Sequence, residues 1–173
     1  MIKKIFFLIA AFQPLFCNDF NLLTYFHDQF KKTYHYGSNS IVIPLNTWHN
    51  RLAYDETHIN RYNESPLGLG YARLVQEEKE QYGLYAIVFE DSNYHTQTMF
   101  GYLHNYFLND NSIKVSIGYT IGFTQRQEYY YVPIPLPLPM FGLNIDRLSI
   151  QTVYVPGFKN FGNVAFTYLS FRF

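Results

Sequence analysis

Residues 114–124 read Lys-Val-Ser-Ile-Gly-Tyr-Thr-Ile-Gly-Phe-Thr. Large apolar side chains (Val115, Ile117, Tyr119, Ile121, Phe123) alternate with small or polar ones (Ser116, Gly118, Thr120, Gly122, Thr124). Successive side chains of a β-strand point to opposite faces, so this segment is a strand with one apolar face and one slender or hydrophilic face. Its strict alternation is long for a half-buried strand of a small soluble sheet. It suits a tilted strand crossing a bilayer, which takes about 9–11 residues. Periodicity leaves the direction of the apolar face open. That face points inward in a soluble barrel and toward lipid in an outer-membrane barrel.

A chain of 173 residues holds one domain. Its formal net charge is zero, so nothing in the balance favours nucleic acid. There are 17 Tyr and 17 Phe against one Trp, a surplus that suits the interfacial girdles of a membrane barrel. An aromatic-rich soluble β-sandwich would have it too, because aromatic residues favour strands. The first residues narrow the choice. A basic Met1–Lys4 precedes an apolar Ile5–Phe16, too short to span as a helix, and Cys17 supplies a small residue for cleavage. A signal peptide over residues 1–17 is therefore expected, with a mature chain starting near Asn18. Phe16 is too bulky for a lipoprotein signal, and cleavage after Cys17 leaves no cysteine for disulfides. No later run of 18 apolar residues exists, which points to a secreted, periplasmic or outer-membrane protein.

An amphipathic helix is expected over about 20–34, capped by Asp19. Its apolar face would carry Leu22, Leu23, Phe26, Phe30 and Tyr34, opposite Asp28, Gln29, Lys31 and Lys32, and would either pack on a soluble core or lie in the membrane interface beside a barrel. Tyr36–Ser40 reads as a turn-rich linker. Strand candidates then follow at 41–54, 67–77, 82–91, 98–108, 113–125, 135–145, 147–155 and 163–173. Short polar connectors alternate with longer ones, the pattern of an outer-membrane barrel over about 41–173, and an even strand number closes the sheet. The chain ends at Phe173 with apolar residues at alternate positions before it, like the signal read by outer-membrane assembly machinery. Apolar residues on both faces of 82–89 predict a partly dry lumen, with room for side chains or one slender ligand.

Three polar segments fall at the long-loop rim: 46–66, 89–92 and 124–126. His49 as a base, Ser92 as a hydroxyl and Asp91 as an acid could together perform acyl transfer there. By spacing alone this is a weak signal, since Asp-Ser is a common turn pair. No metal cluster, phosphate-binding glycine loop or nucleotide motif is present, and no cofactor is expected.

The pattern Ile43-Pro44, Thr47-Trp48-His49, Arg51, Ala53-Tyr54-Asp55, Arg61-Tyr62-Asn63-Glu64, Pro66, Gly83-Leu84-Tyr85-Ala86, Asp91-Ser92, Gly101-Tyr102, Arg126 and Pro156-Gly157 resembles the PagP family, the lipid A palmitoyltransferases of Gram-negative outer membranes. The likeness spans most of the chain after the leader, in order. It implies an all-β fold, an eight-stranded antiparallel outer-membrane β-barrel behind a short helix. It implies a monomeric enzyme that moves a palmitoyl chain from the sn-1 position of a phospholipid donor to a hydroxyacyl chain of lipid A. That remodelling of lipopolysaccharide raises resistance to cationic antimicrobial peptides. The family's essential residues fall on His49, Asp91 and Ser92, without fixed roles. Asp91 next to Ser92 does not fit a triad in which the acid orients the histidine from its far side. Arg61 and Arg126 become candidate contacts for lipid A phosphates, against ordinary loop charge pairing. Pro44, Pro66, Pro139 and Pro156 would flank two lateral lipid gates, since proline lacks a ladder donor. Pro133, Pro135, Pro137 and Pro139 would lose donors on one side only, so one ladder there should be missing. The family's acyl-chain ruler is a glycine two residues beyond Gly101. Here Leu103 stands in that place, so the floor of the lumen should rise and favour a chain shorter than palmitate, or else compensating losses elsewhere have moved the floor. The rival readings are a non-catalytic structural or adhesion barrel and a soluble lipid-binding barrel.

Overall fold

The computed structural model describes residues 21–173 and contains a closed antiparallel barrel in which each strand pairs with its sequence neighbours and the last with the first. The strands are β1 (Ser38–His49), β2 (Gly68–Gln76), β3 (Glu80–Glu90), β4 (Thr96–Phe107), β5 (Lys114–Gln125), β6 (Ile134–Ile145), β7 (Leu148–Val155) and β8 (Val164–Arg172). The tightest connector is the turn through Asp146 and Arg147, with Asp146 in the left-handed region at φ 51°, which an aspartate tolerates. The expected leader over residues 1–17 and the Asp19 cap lie outside the described residues.

Closure settles the direction of the apolar face. Ser116, Thr120 and Thr124 of β5 are buried, whereas Val115, Ile117, Ile121 and Phe123 are exposed. Ile41, Ile43, Leu69, Val88, Phe100, Phe141, Leu143 and Ile150 extend this apolar surface around the wall. An apolar band outside a closed barrel is what a bilayer selects, because closure leaves no unpaired edge in hydrocarbon.

Inside, the barrel has two storeys. Val42, Ala72, Leu74, Ile87, Phe89, Met99, Leu103, Leu138, Met140, Val153, Phe166 and Tyr168 form one apolar cluster. Beneath it, toward the short turns, lies an amide and hydroxyl layer. Gln151 Nε2 donates to Asn144 Oδ1 (3.0 Å), Asn144 Nδ2 to Ser116 Oγ (3.1 Å) and Asn105 Nδ2 to Gln151 Oε1 (3.4 Å). Gly142 permits this crossing: a Cβ there would lie 2.2–2.6 Å from the Gln151 carboxamide. The expected dry lumen thus occupies the upper storey only.

The ladder is broken at two places. β5 pairs with β6 down to Ile134, but the β6–β7 ladder stops at Met140↔Val153. Pro135, Pro137 and Pro139 share the parity whose backbone groups face β7, so their missing N–H groups remove that ladder, as the alternating prolines imply. The β1–β2 ladder stops at Val42↔Gly70, next to Pro44, where the β1–β8 register also shifts.

Several boundaries differ from the sequence expectation. β1 begins at Ser38, so the supposed linker at 38–40 is strand, paired through Ser38↔Leu74. It ends at His49 rather than Tyr54, because Asn50 turns the chain: Ala53 and Tyr54 N–H both donate to its carbonyl. The helix α1 spans Leu22–Tyr36 and is capped by Asn21, whose Oδ1 accepts from Leu23 and Thr24 N–H (3.1 and 3.3 Å). Of the two seatings open to it, on a core or at an interface, its burial fits the second. Gln29 and Thr33 are buried, Phe26 packs edge-on against Tyr102 (5.6 Å), and Leu23 and Tyr34 are 82 % and 74 % exposed. The apolar stripe is therefore mostly turned outward, as an interfacial helix turns it to lipid. Polar contacts hold the other side. Arg73 on β2 donates from Nε to Thr33 O (3.0 Å) and from Nη2 to Tyr34 O (2.9 Å), and from Nη1 to Asn39 Oδ1 (2.8 Å).

Arg73→Ala should release α1 while sparing the barrel. Each lost charged hydrogen bond contributes about 1.5–3 kcal/mol at most, less where exposed. Hydrogen exchange should rise tenfold or more over residues 22–36 and stay unchanged in β4 and β5; equal protection in both proteins would refute this anchoring.

Candidate active site

The long connectors rise at one rim and converge over the open end of the apolar storey. His49 is the last residue of β1, and strand alternation after the bulge at Pro44 turns it inward, where it is 2 % exposed. Ser92 follows β3 in the connector to β4 and is also buried. The two meet with Ser92 Oγ 3.0 Å from His49 Nε2. Tyr62 stacks on the imidazole (centroids 4.6 Å, 27°), and Tyr54 meets it edge-on (5.1 Å, 86°). Tyr54 is itself fixed by its hydroxyl, which donates to Gly162 O (2.6 Å). A clamped base beside a buried hydroxyl is the pairing that acyl transfer needs.

Asp91, the acid of the expected group, engages its own turn and Arg126. Its Oδ1 accepts from Asn93 N–H (2.8 Å) and His95 N–H (3.0 Å), and its Oδ2 accepts from Arg126 Nη2 (3.4 Å). Its backbone N–H donates to His95 O (2.7 Å). Asp91 thus ties down the turn that carries Ser92. On the far side of the imidazole stands Glu64, from the connector between β1 and β2, which also contains the short helix α2 (Glu56–Ile59). Glu64 Oε1 lies 3.0 Å from His49 Nδ1 and accepts from the His49 backbone N–H at 3.0 Å. Arg51 grips the same carboxylate with both arms, Nη1 to Oε1 (2.5 Å) and Nη2 to Oε2 (2.6 Å), and Nη1 also donates to His49 O (2.8 Å). Sequence reasoning missed Glu64 as a site residue. Its only trace was membership in the Arg61–Glu64 motif, because fifteen positions of loop separate it from His49.

The fork of Arg51, together with hydrogen bonds from His49, holds the Glu64 carboxyl down to about 2. Arg126, 3.4 Å from Asp91 and 3.5 Å from Glu128 through Nη2, is committed to carboxylates. Arg61 is exposed, its guanidinium 5.7 Å from the Tyr62 ring centroid.

The remaining named residues line the lumen or its breaks. Gly101 pairs with Gly122 across β4 and β5, and a Cβ at Gly101 would come within 2.4 Å of Gly122 Cα. Leu103 is buried in the apolar cluster and lines a small enclosed cavity with Ile87, Tyr168, Gln81 and Asn105, at the junction with the polar layer. Pro139 borders the break between β6 and β7, and Pro156 follows β7. Pro44 borders the break between β1 and β2; Pro66 precedes β2. Above that second break Glu64 O accepts from Thr47 N–H (2.9 Å) and Asn46 Nδ2 (3.0 Å), so the loop covers only its upper end.

The model of the family described as antimicrobial peptide resistance and lipid A acylation protein PagP matches residues 29–170. The chain is 38 % identical over 159 residues to the lipid A acyltransferase PagP of Photorhabdus laumondii, covering 90 % of this chain and 77 % of that one. It is 39 % identical over 140 residues to that of Yersinia enterocolitica (79 % and 69 % covered) and 36 % identical over 144 residues to that of Dickeya dadantii (81 % and 72 % covered).

Replacing Arg51 by Ala should return the Glu64 carboxyl from about 2 toward its ordinary 4.5. Because this pKa is depressed in the folded chain, the stabilisation it brings is complete above the ordinary value and fades as pH falls toward 2. Carbon-13 titration of labelled Glu64 in detergent would show the shift in midpoint; identical midpoints would remove the Arg51 fork as its cause.

Proposed function

This chain belongs to the PagP family and is an acyltransferase of lipid A acylation, and we propose that it takes a fatty acyl chain, palmitoyl or somewhat shorter, from the sn-1 position of a glycerophospholipid and esterifies a hydroxyacyl chain of lipid A. The fold and the family fit an outer-membrane protein; in that setting the expected signal peptide would be removed first and assembly machinery would insert the barrel as a monomer. The observation that carries the reading is the His49–Ser92 contact at 3.0 Å over an apolar shaft.

In the reaction a hydroxyl oxygen bonds to the ester carbonyl carbon, the bond from that carbon to the glycerol oxygen breaks, and the glycerol oxygen takes up the proton. His49 accepts the attacking hydroxyl's proton and returns it to the leaving alcohol. In one step the attacking hydroxyl is the acceptor's, with Ser92 assisting. In a two-step route it is that of Ser92, and the acceptor hydroxyl then attacks the acyl-serine, breaking the bond to Oγ while His49 carries the acceptor's proton back to Ser92. Asp91 supports the turn of Ser92 in either route. The wall breaks beside Pro139–Pro156 and Pro44–Pro66 supply two lateral entrances for lipid from the membrane, where the missing ladder lets strands part. Arg61, exposed at the rim, is the readier contact for a lipid A phosphate; Arg126 would meet one only alongside Asp91. The acyl chain would run down the apolar storey past Gly101 and stop at Leu103. A leucine there fills space that a glycine leaves open, so the preferred chain should be shorter than palmitate.

Expression in a strain lacking this activity, followed by mass spectrometry of lipid A, tests the reading. Wild type should add one acyl chain, and His49→Ala should lower the rate by about 10²–10⁴-fold; undiminished acylation by His49→Ala would overturn the assignment. Leu103→Gly should lengthen the added chain, and palmitate as the sole chain added by wild type would reject a raised floor.

A further inference from the structure

The Asp91 carboxylate is occupied by its own turn and by Arg126, which leaves the far side of the imidazole to another group. We infer that Glu64, clamped by Arg51, is the positioning residue that sets the tautomer and aim of His49 during acyl transfer. This rests on the reading of His49 as the base.

Three observations carry it. Glu64 Oε1 lies 3.0 Å from Nδ1 while Ser92 Oγ lies 3.0 Å from Nε2, so the ring bridges a carboxylate and a hydroxyl. An ionised carboxylate only accepts, so Nδ1 carries the proton and Nε2 presents its lone pair to Ser92. The same Oε1 takes the backbone N–H of His49, and the Arg51 fork takes both carboxylate oxygens while reaching His49 O. The carboxylate is thereby locked to the main chain of the residue it aims. With Tyr62 stacked on one face and Tyr54 at its edge, the ring has one orientation available.

The consequence appears when the base takes a proton. Nε2 gains the hydroxyl proton and the ring becomes positive. Glu64 faces that charge across the Nδ1–H bond without itself taking the proton, the role an acid plays behind a catalytic histidine in hydrolases of other folds. The two carboxylates divide the work: Arg51–Glu64 aims the base, and Arg126–Asp91 holds the turn of the hydroxyl.

Nitrogen-15 spectra of the His49 ring in detergent-solubilised full chain, with acylation kinetics, test this. Wild type should show Nδ1 protonated and Nε2 bare at neutral pH; the opposite tautomer would overturn the inference. Glu64→Gln, nearly isosteric, should mix the tautomers and lower kcat by about 10²-fold or more with KM changed little. Glu64→Asp, which keeps the charge on a shorter arm, should recover part of that loss. Asp91→Asn should leave the His49 tautomer as in wild type. If Glu64→Gln keeps both the tautomer and kcat while His49→Ala is inactive, Glu64 is a loop anchor only and the inference fails alone. If His49→Ala keeps full activity, the reading beneath it fails instead.

Discussion

A backbone amide turned toward hydrocarbon without a partner costs several kcal/mol, and the wall of this protein is organised by that cost. Eight strands pair in sequence order and the last returns to the first, so nearly the whole ladder is satisfied. Against such a wall the two interruptions stand out. One is made by three alternating prolines whose ring nitrogens face β7, and the other lies beside Pro44. Prolines remove the donors without exposing any, so they are the residues that can open a ladder in a membrane at small cost.

The interior follows a second separation. Aliphatic and aromatic side chains fill the storey under the long loops, while amides and hydroxyls bond to one another beneath. A hydrocarbon chain lowered from the loop rim meets like surface until Leu103, and below that it would have to displace satisfied hydrogen bonds, each expensive to leave unmade. On the proposed function, depth in the barrel would be a measure of chain length. On that reading, the hydroxyl–imidazole pair at the upper end would put the reacting ester at the opening of this shaft.

The site itself is assembled by the loops, each fixed to the scaffold by a charged clamp. Arg51 and Glu64 tie the connector after β1 back to that strand's last residue, and Arg126 reaches from the end of β5 to the turn after β3. The ends of three strands, β1, β3 and β5, thus contribute to one point. Salt bridges at an exposed rim contribute little to stability. These are half-buried and shared with backbone groups, so their main effect is on orientation.

Much of this was legible beforehand. Strict alternation at 114–124 marked a strand, the connector lengths marked a barrel, and the motif around His49 and Asp91–Ser92 pointed to the family. Strand ends slipped by a few residues, at Ser38 and His49, because turns such as that at Asn50 are set by hydrogen bonds that apolar periodicity does not register. The helical stripe of Leu23, Phe30 and Tyr34 was visible, yet the barrel took Gln29 and Thr33 instead, since beside a membrane the apolar face has lipid to cover it.

Alternation, proline spacing and the order of motifs are local properties, and the amino-acid order alone determined them: which residues share a face, which backbone donors are missing, and where a base and a hydroxyl occur. Which face meets lipid is symmetric in a period of two, and only closure of the barrel decided it. The partner of His49 was likewise decided in three dimensions. Asp91 is the acid beside Ser92 in the chain, but the fold turned it into its own loop and brought Glu64 behind the imidazole, because loop closure rather than sequence distance sets which charges meet.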